Sequence, residues 1–202
     1  MDPRTRRTRE ALLAAAERLF LDRRLDDVTL DEIAAEAGVA VGSVYNHFGS
    51  KAGLHAAVVE QALDVDRAHM DRAYVDGERP VDQIRGAAHE YLAFALAHPE
   101  HFRMLAAPPE PGRYPAGRRT ADELARRVRE QNQRLVTAIT HGIAAGELRP
   151  VDPELTATAL WAAWNGIIGL AWRPDALQHG PDELRDLLDV ATDIVEQGLL
   201  AR

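Results

Sequence analysis

The apolar positions of this chain recur every three or four residues over most of its length, which is the spacing of amphipathic helices. Leu12, Ala15, Ala16, Leu19 and Phe20 form one stripe in a helix predicted over residues 4–22. Leu30, Ile33, Ala34 and Ala37 form the next stripe. Thr29-x-x-Glu32 is a capping box in front of that second helix. Gly38 stands where the helix should stop and the backbone needs a positive φ. A third short helix is predicted from about Val41 to His47, with Val44 and Phe48 inward and Ser43, Tyr45, Asn46 and His47 polar or amphipathic. Ser50 can cap a long fourth helix that begins at Lys51 and runs to about Tyr74.

Pro80 opens a fifth helix whose apolar face is Ile84, Ala87, Ala88, Tyr91, Leu92 and Ala95, and His98-Pro99 breaks it. A short sixth helix runs from about Pro99 to Ala106. Pro108, Pro109, Pro111, Gly112, Pro115 and Gly117 mark an irregular loop. The seventh helix, about Arg118 to Ala145, has the stripe Leu124, Val128, Leu135, Ile139 and Ile143. Gln131 and Asn132 interrupt that stripe where an apolar residue is due. An eighth helix spans about Pro153 to Trp172, and a ninth about Pro181 to Leu200. The expected fold is all-α, with about nine helices and no internal repeat.

Composition supports this and removes several kinds of chemistry. Among 202 residues there is no cysteine, which excludes disulfide scaffolds, zinc fingers and thiol nucleophiles and fits a reducing cytoplasm. The formal net charge of −8 is unusual for a nucleic-acid binder. The charge is unevenly distributed, however: Arg4, Arg6, Arg7 and Arg9 face only Asp2 in the first nine residues. A basic arm on an acidic body can hold DNA with one face. Leu155 to Trp172 carries no charge over 18 positions, which raises a membrane span as an alternative. Thr156, Thr158, Asn165, Gly166 and Gly169 argue instead for a helix buried on most sides, as in a dimer interface. No signal peptide is evident, because Glu10, Glu17 and Arg18 interrupt the first apolar stretch.

Two short helices around a glycine-containing turn make a helix-turn-helix, whose second helix lies in the DNA major groove. Thr29, Ile33-Ala34, Ala37-Gly38-Val39, Gly42-Ser43, Val44-Tyr45, His47-Phe48 and Ser50-Lys51 are laid out as in the DNA-binding domain of the TetR/AcrR family of transcriptional regulators, which residues 5–60 resemble. The remainder resembles the family only in length, helical character and local patterns such as His98, Pro99, Phe102 and Arg103. The resemblance implies an N-terminal three-helix DNA-binding domain, 1–50, joined to a helical ligand-binding and dimerisation domain, 51–202, with the boundary inside the fourth helix. It makes Val41, Gly42, Ser43 and Asn46 candidates for base edges, and Thr29, Tyr45, His47 and Lys51 candidates for phosphates. Asn46 could pair bidentately with adenine, and Val41 suits a thymine methyl. Arg4, Arg6 and Arg7 would reach the backbone or minor groove. Three positions depart from the family pattern. Ala40 stands where Ser or Thr is usual, which removes a cap of roughly 1 kcal/mol. Val41 replaces what is often a polar or basic residue, and Gly53 replaces a common Glu.

One such unit reads only a few base pairs, so two copies with two-fold symmetry are expected to bind a two-fold symmetric operator in double-stranded DNA. The eighth and ninth helices are the candidate homodimer surface. Ala162, Gly166 and Gly169 allow close backbone approach, and Leu184, Leu188, Ala191 and Val195 supply an apolar face. The resemblance also implies a small-molecule effector among the fourth to eighth helices. Candidates to touch it are His69, Met70, Tyr74, Tyr91, Phe94, Phe102, Met104, Gln131, Asn132, Trp161, Trp164 and Asn165. Gln131, Asn132 and Asn165 rank highest, since a polar group on a buried stripe needs a partner. His98-x-x-His101 is a weak metal pair without a third ligand. No cofactor, metal or membrane partner is implied, and no nucleophile elbow, P-loop or paired carboxylates support catalysis. The leading expectation is a cytoplasmic, ligand-released repressor. The alternative is a regulator without a ligand, controlled by a protein partner or acting as an activator.

Overall fold

A computed structural model describes residues 2–23, 27–106 and 118–200. The stretch read above as an irregular loop, 108–117, and the side chain of Leu124 lie outside that description. Among the described residues the chain forms nine α-helices: α1 (Pro3–Asp22), α2 (Leu30–Glu36), α3 (Gly42–Phe48), α4 (Lys51–Ala73), α5 (Pro80–Ala97), α6 (Pro99–Ala106), α7 (Arg118–Ala144), α8 (Pro153–Gly169) and α9 (Pro181–Leu199). The helix ends follow from local chemistry. Asp2 and Asp152 accept hydrogen bonds from the first-turn amides of α1 and α8, and proline opens α1, α5, α8 and α9. The eighth helix ends earlier than the sequence pattern suggests. After Gly169 the last turn tightens into a 3₁₀ segment, Leu170–Trp172, as helix ends commonly do.

The chain divides into two compact units. The first comprises Met1–Asp64 and Glu100–Arg126. Its core joins Leu12, Leu13, Ala15 and Ala16 of α1 to Ile33 and Ala34 of α2, Val44 of α3, and Leu54 and Val58 of α4. Phe20, Phe48 and Met104 pack against this cluster. The apolar stripe predicted for the first helix is therefore the surface on which α2 and α3 rest.

The second unit comprises Val65–Pro99 and Arg127–Arg202. Here α5 packs on both α8 and α9. Phe94, Leu135, Ile139, Ile168, Leu184 and Leu188 are its largest fully buried side chains. Polar pairs cross between α5 and α9: Arg85 bonds Asp193 at 2.9 Å and also Glu196, and His89 meets Asp189 at 2.7 Å. The segment after α7 closes on the end of α9, where the Arg149 amide donates to the Leu199 carbonyl at 2.8 Å. No helix among the described residues is long and apolar enough to cross a membrane.

Candidate nucleic-acid interface and sensing site

The helix-turn-helix is built by two local devices. Thr29 Oγ1 accepts from the Glu32 amide at 3.2 Å, while Glu32 Oε2 accepts from the Thr29 amide at 2.7 Å, which completes the capping box. Arg23 then bonds the Glu32 carboxylate at 2.7 Å, and that contact, with the Thr29 amide bond, holds the carboxyl down at about 2. The turn after α2 passes through Gly38 at φ +67°, a left-handed conformation that side-chain-bearing residues seldom adopt. No side chain caps α3, and the N-cap position falls at Val41, one residue later than the Ala40 expected from sequence.

The first turn of α3 and its outer face are displayed. Gly42, Tyr45 and Asn46 are exposed, with Tyr45 at 56%, whereas Val44 is fully buried and holds the helix to the core. Val41, Ser43 and His47 are half-buried at its edges, as is Lys51 at the start of α4. Arg4, Arg6 and Arg7 are exposed along α1. The guanidinium of Arg9 lies 5.4 Å from the ring centre of Phe48, a cation–π contact that ties the first turns of α1 to the end of α3. Arg9 thus brings one arginine of the basic arm against the end of the reading helix. Thr29 stands apart from this pattern. Its hydroxyl is within 2.9 Å of Glu32 Oε2 and acts first as a cap, beside an anionic carboxylate.

Gly53 also has a structural reason that its departure from the family pattern did not reveal. A Cβ there would lie 2.1 Å from the Phe48 carbonyl oxygen. The Gly53 amide instead donates to Ser50 Oγ at 3.0 Å, so the serine caps α4 without a reciprocal side chain.

The sensing candidates separate into two groups. Phe102 and Met104 fall in the first unit, Phe102 fully buried and Met104 against its core. The others lie in the second unit. His69, with Arg72 and Glu90, forms a charged cluster: Arg72 bonds Glu90 at 2.9 Å, and desolvation, then Arg72, holds the His69 imidazole low. The rings of Phe94 and His98 stand 5.7 and 5.9 Å from His69. His101 goes elsewhere, 2.6 Å from Glu17 in the first unit, so the His98-x-x-His101 spacing brings the two imidazoles to different partners.

Gln131, which breaks the apolar stripe of α7, donates to Asp66 Oδ2 of α4 at 3.2 Å. Asp66 is buried and absent from the sequence candidates. Its only advance signal was a carboxylate at an inward position of the fourth helix. Burial pushes its carboxyl up to about 6, against the opposing effects of Gln131 and Arg134. Arg134 itself is spent on Asp71 at 2.7 Å and on the face of Tyr74, 4.6 Å from the ring centre. Tyr91 Oη donates to Asn165 Oδ1 at 3.2 Å, and Asn165 Nδ2 donates to the Trp161 carbonyl at 2.8 Å. Tyr91 and Trp164 are ring neighbours at 6.4 Å. Asn132 is half-buried on α7.

A shallow, largely apolar cleft lies between α5, α8 and α9, lined by Ile84, Leu160, Trp164, Ala191, Thr192 and Val195 among others. Leu184 and Leu188, expected on the dimer face, are fully buried in the protomer's own core. Of the large apolar side chains on α8 and α9, Leu155, Val190 and Ile194 are exposed; Ala162 and Gly166 are exposed as well, and Gly169 is half-buried.

Comparison with known proteins agrees with this architecture. Residues 12–58 match the family described as bacterial regulatory proteins, tetR family, and residues 84–195 match the tetracyclin repressor-like C-terminal domain. The chain is 46% identical over 55 residues to the HTH-type transcriptional repressor BepR of Brucella suis biovar 1, a match covering 27% of this chain and 26% of that one. It is 28% identical over 148 residues to the HTH-type transcriptional repressor KstR2 of Mycolicibacterium smegmatis, covering 73% and 71% respectively. Its fold is similar to that of AibR, solved in complex with isovaleryl coenzyme A and operator DNA, with a TM-score of 0.76 at 19% identity over 93% of this chain and 97% of AibR. Proteins of this kind are DNA-binding regulators and not enzymes. With both family models matched in order along a helical chain that displays α3, the chain belongs to the TetR family of DNA-binding transcriptional regulators.

Proposed function

We propose that this chain is a homodimeric repressor that binds a two-fold symmetric operator and is released by a small-molecule effector. The observation that carries the reading is the displayed face of α3, with Gly42, Tyr45 and Asn46 exposed above a buried Val44 and Arg9 of α1 against Phe48 at its end. Asn46 and Val41 are the base-reading candidates, and Tyr45, His47, Lys51 and the arm arginines are the phosphate-holding ones. Residues 1–50 form the reading domain, and 51–202 the sensing and dimerisation domain. The exposed Leu155, Val190 and Ile194 support self-association through α8 and α9, because surface of that kind is normally covered by a partner.

Effector control is supported by AibR, which was crystallised with both an acyl coenzyme A and operator DNA. It is supported also by the polar groups gathered inside the second unit. Displacement of α4 by an effector would be felt at α3, which immediately precedes it in the chain. A cytoplasmic location follows from this role. The test is an operator search with purified protein over DNA flanking its own gene. Repression predicts protection of a palindrome that overlaps promoter elements. A site lying upstream of them, with transcription rising on binding, would make the protein an activator.

A further inference from the structure

The helix-turn-helix itself carries no fixed positive charge. Residues 29–48 contain neither lysine nor arginine, and between Arg24 and Arg67 the only one of either is Lys51, at the start of α4. Three arginines of neighbouring segments are engaged within the protein. Arg18 bonds Glu36 at 2.9 Å, Arg23 bonds Glu32 at 2.7 Å, and the Arg9 guanidinium lies over the Phe48 ring. The face that α3 displays is thus made of uncharged groups and one histidine. Tyr45 and Asn46 are exposed, Val41, Ser43 and His47 are half-buried, and Gly42 adds no side chain.

That inventory discriminates between bases. Guanine shows the major groove two adjacent acceptors, N7 and O6, and its usual partner is arginine or lysine. α3 has neither. Ser43, Tyr45 and His47 each aim a single donor, which serves a phosphate oxygen or one base atom but not the guanine pair. The Asn46 amide would set its oxygen against an acceptor there. Adenine shows one acceptor, N7, and one donor, the N6 amino group, and these match the amino group and the oxygen of the Asn46 amide. Val41 brings two methyl groups and no polar atom. The only apolar group on a major-groove edge is the 5-methyl of thymine.

We infer that the major-groove code of the operator is written in A·T pairs, with Asn46 on an adenine edge, Val41 against a thymine methyl, and no guanine edge read. This rests on the reading of the protein as a regulator whose α3 enters the major groove of a two-fold symmetric operator, and it specifies the base pairs that α3 takes.

The test uses the full-length protein to select duplexes from a random pool. The selected site is then resynthesised with base analogues and its affinity measured by fluorescence anisotropy. 7-Deazaadenine and 7-deazaguanine lack the N7 acceptor, and uracil lacks the methyl of thymine. At one position in each half-site, 7-deazaadenine is expected to weaken binding about tenfold or more, and uracil for thymine about twofold to fivefold. 7-Deazaguanine should change affinity by less than about twofold at every position. Asn46→Ala should abolish the adenine effect and Val41→Ala the thymine effect, each leaving the other in place. The analogue measurements on the wild type need neither variant. A guanine whose 7-deaza replacement costs tenfold, half-sites with no A·T pair in common, or analogue effects that persist in the two variants would each overturn the inference. A site read through guanine would leave the regulator reading standing, whereas selection of no sequence at all would overturn both together.

Discussion

The backbone of α3 and that of α4 meet where only a hydrogen atom fits: a side chain at Gly53 would place its Cβ 2.1 Å from the carbonyl oxygen of Phe48. The reading helix ends at Phe48, so this contact helps set the angle at which α3 leaves α4.

The sign of a Gly53→Ala substitution follows from that contact. In an open helix alanine would stabilise by about 1 kcal/mol relative to glycine. Here backbone must move, and a loss of about 1–3 kcal/mol in urea unfolding is expected. Operator affinity should fall with it. A net gain in stability would show that the α3–α4 junction is slack.

Asp66 gives a pH dependence of defined direction. Its carboxyl rises from 3.8 to about 6 on folding, so the native state binds the extra proton between those values. The stability contribution is fully present below the unfolded value and is lost as pH rises through 6. Asp66→Asn removes the ionisation. The variant should therefore be more stable than wild type at pH 7 by up to about 3 kcal/mol, with the difference fading toward pH 4. Urea midpoints measured at intervals across that range would show the trend, and a difference independent of pH would refute it.

His55 acts in the opposite sense within an overlapping window. Burial beside Phe20, with ring centres 5.4 Å apart, pushes its imidazole down from 6.5 to about 4. The unfolded state takes up the proton first as pH falls below 6.5, so the native state loses stability from there to about 4. The wild type should show a shallow slope in which the two groups partly cancel. His55→Gln should remove the acid-side loss, about 3 kcal/mol at most, and leave the Asp66 trend exposed. Thermal melts of the two single variants and the double variant between pH 4 and 7 separate the contributions.

The helices α8 and α9 carry two kinds of apolar residue, and their variants should behave differently. Leu188 is fully buried, and Leu188→Ala should cost about 2–5 kcal/mol of stability. Ile194 is 66% exposed, and Ile194→Asp should leave the monomer folded while splitting the dimer. Light scattering after size exclusion reads the mass, and circular dichroism reads the fold. A fully dimeric Ile194→Asp would place the self-association surface elsewhere.

Much of this was legible in the chain because helix chemistry is local. The capping box at Thr29, the positive-φ glycine at 38, the prolines at 80, 153 and 181 and the stripe of α1 each declare an element without help from distant residues. Other features depended on distant partners. Leu184 and Leu188 share a face with Val195 in sequence, but only packing against the rest of the second unit shows that they are consumed inside the protomer. Phe102 and Met104 follow closely in sequence on the candidates upstream of Pro99, but they pack in the first unit. Gln131 announced that it needed a partner, and Asp66 is that partner. It was missed because a single acidic residue on an amphipathic helix looks like part of the solvated face until the opposing helix is in place. Gly53 appeared only as the replacement of a common Glu, since the closeness of the Phe48 carbonyl is a matter of chain path and not of residue type.

Sequence reading by α3 is tested most directly by a footprint of the full-length protein on DNA flanking its own gene, compared with Asn46→Ala. Two protected half-sites are expected, related by two-fold symmetry and about one helical turn apart, with protection reduced about tenfold or more by the single substitution. Diffuse protection that Asn46→Ala leaves unchanged would contradict it, because the exposed face of α3 would then be holding phosphates without reading bases.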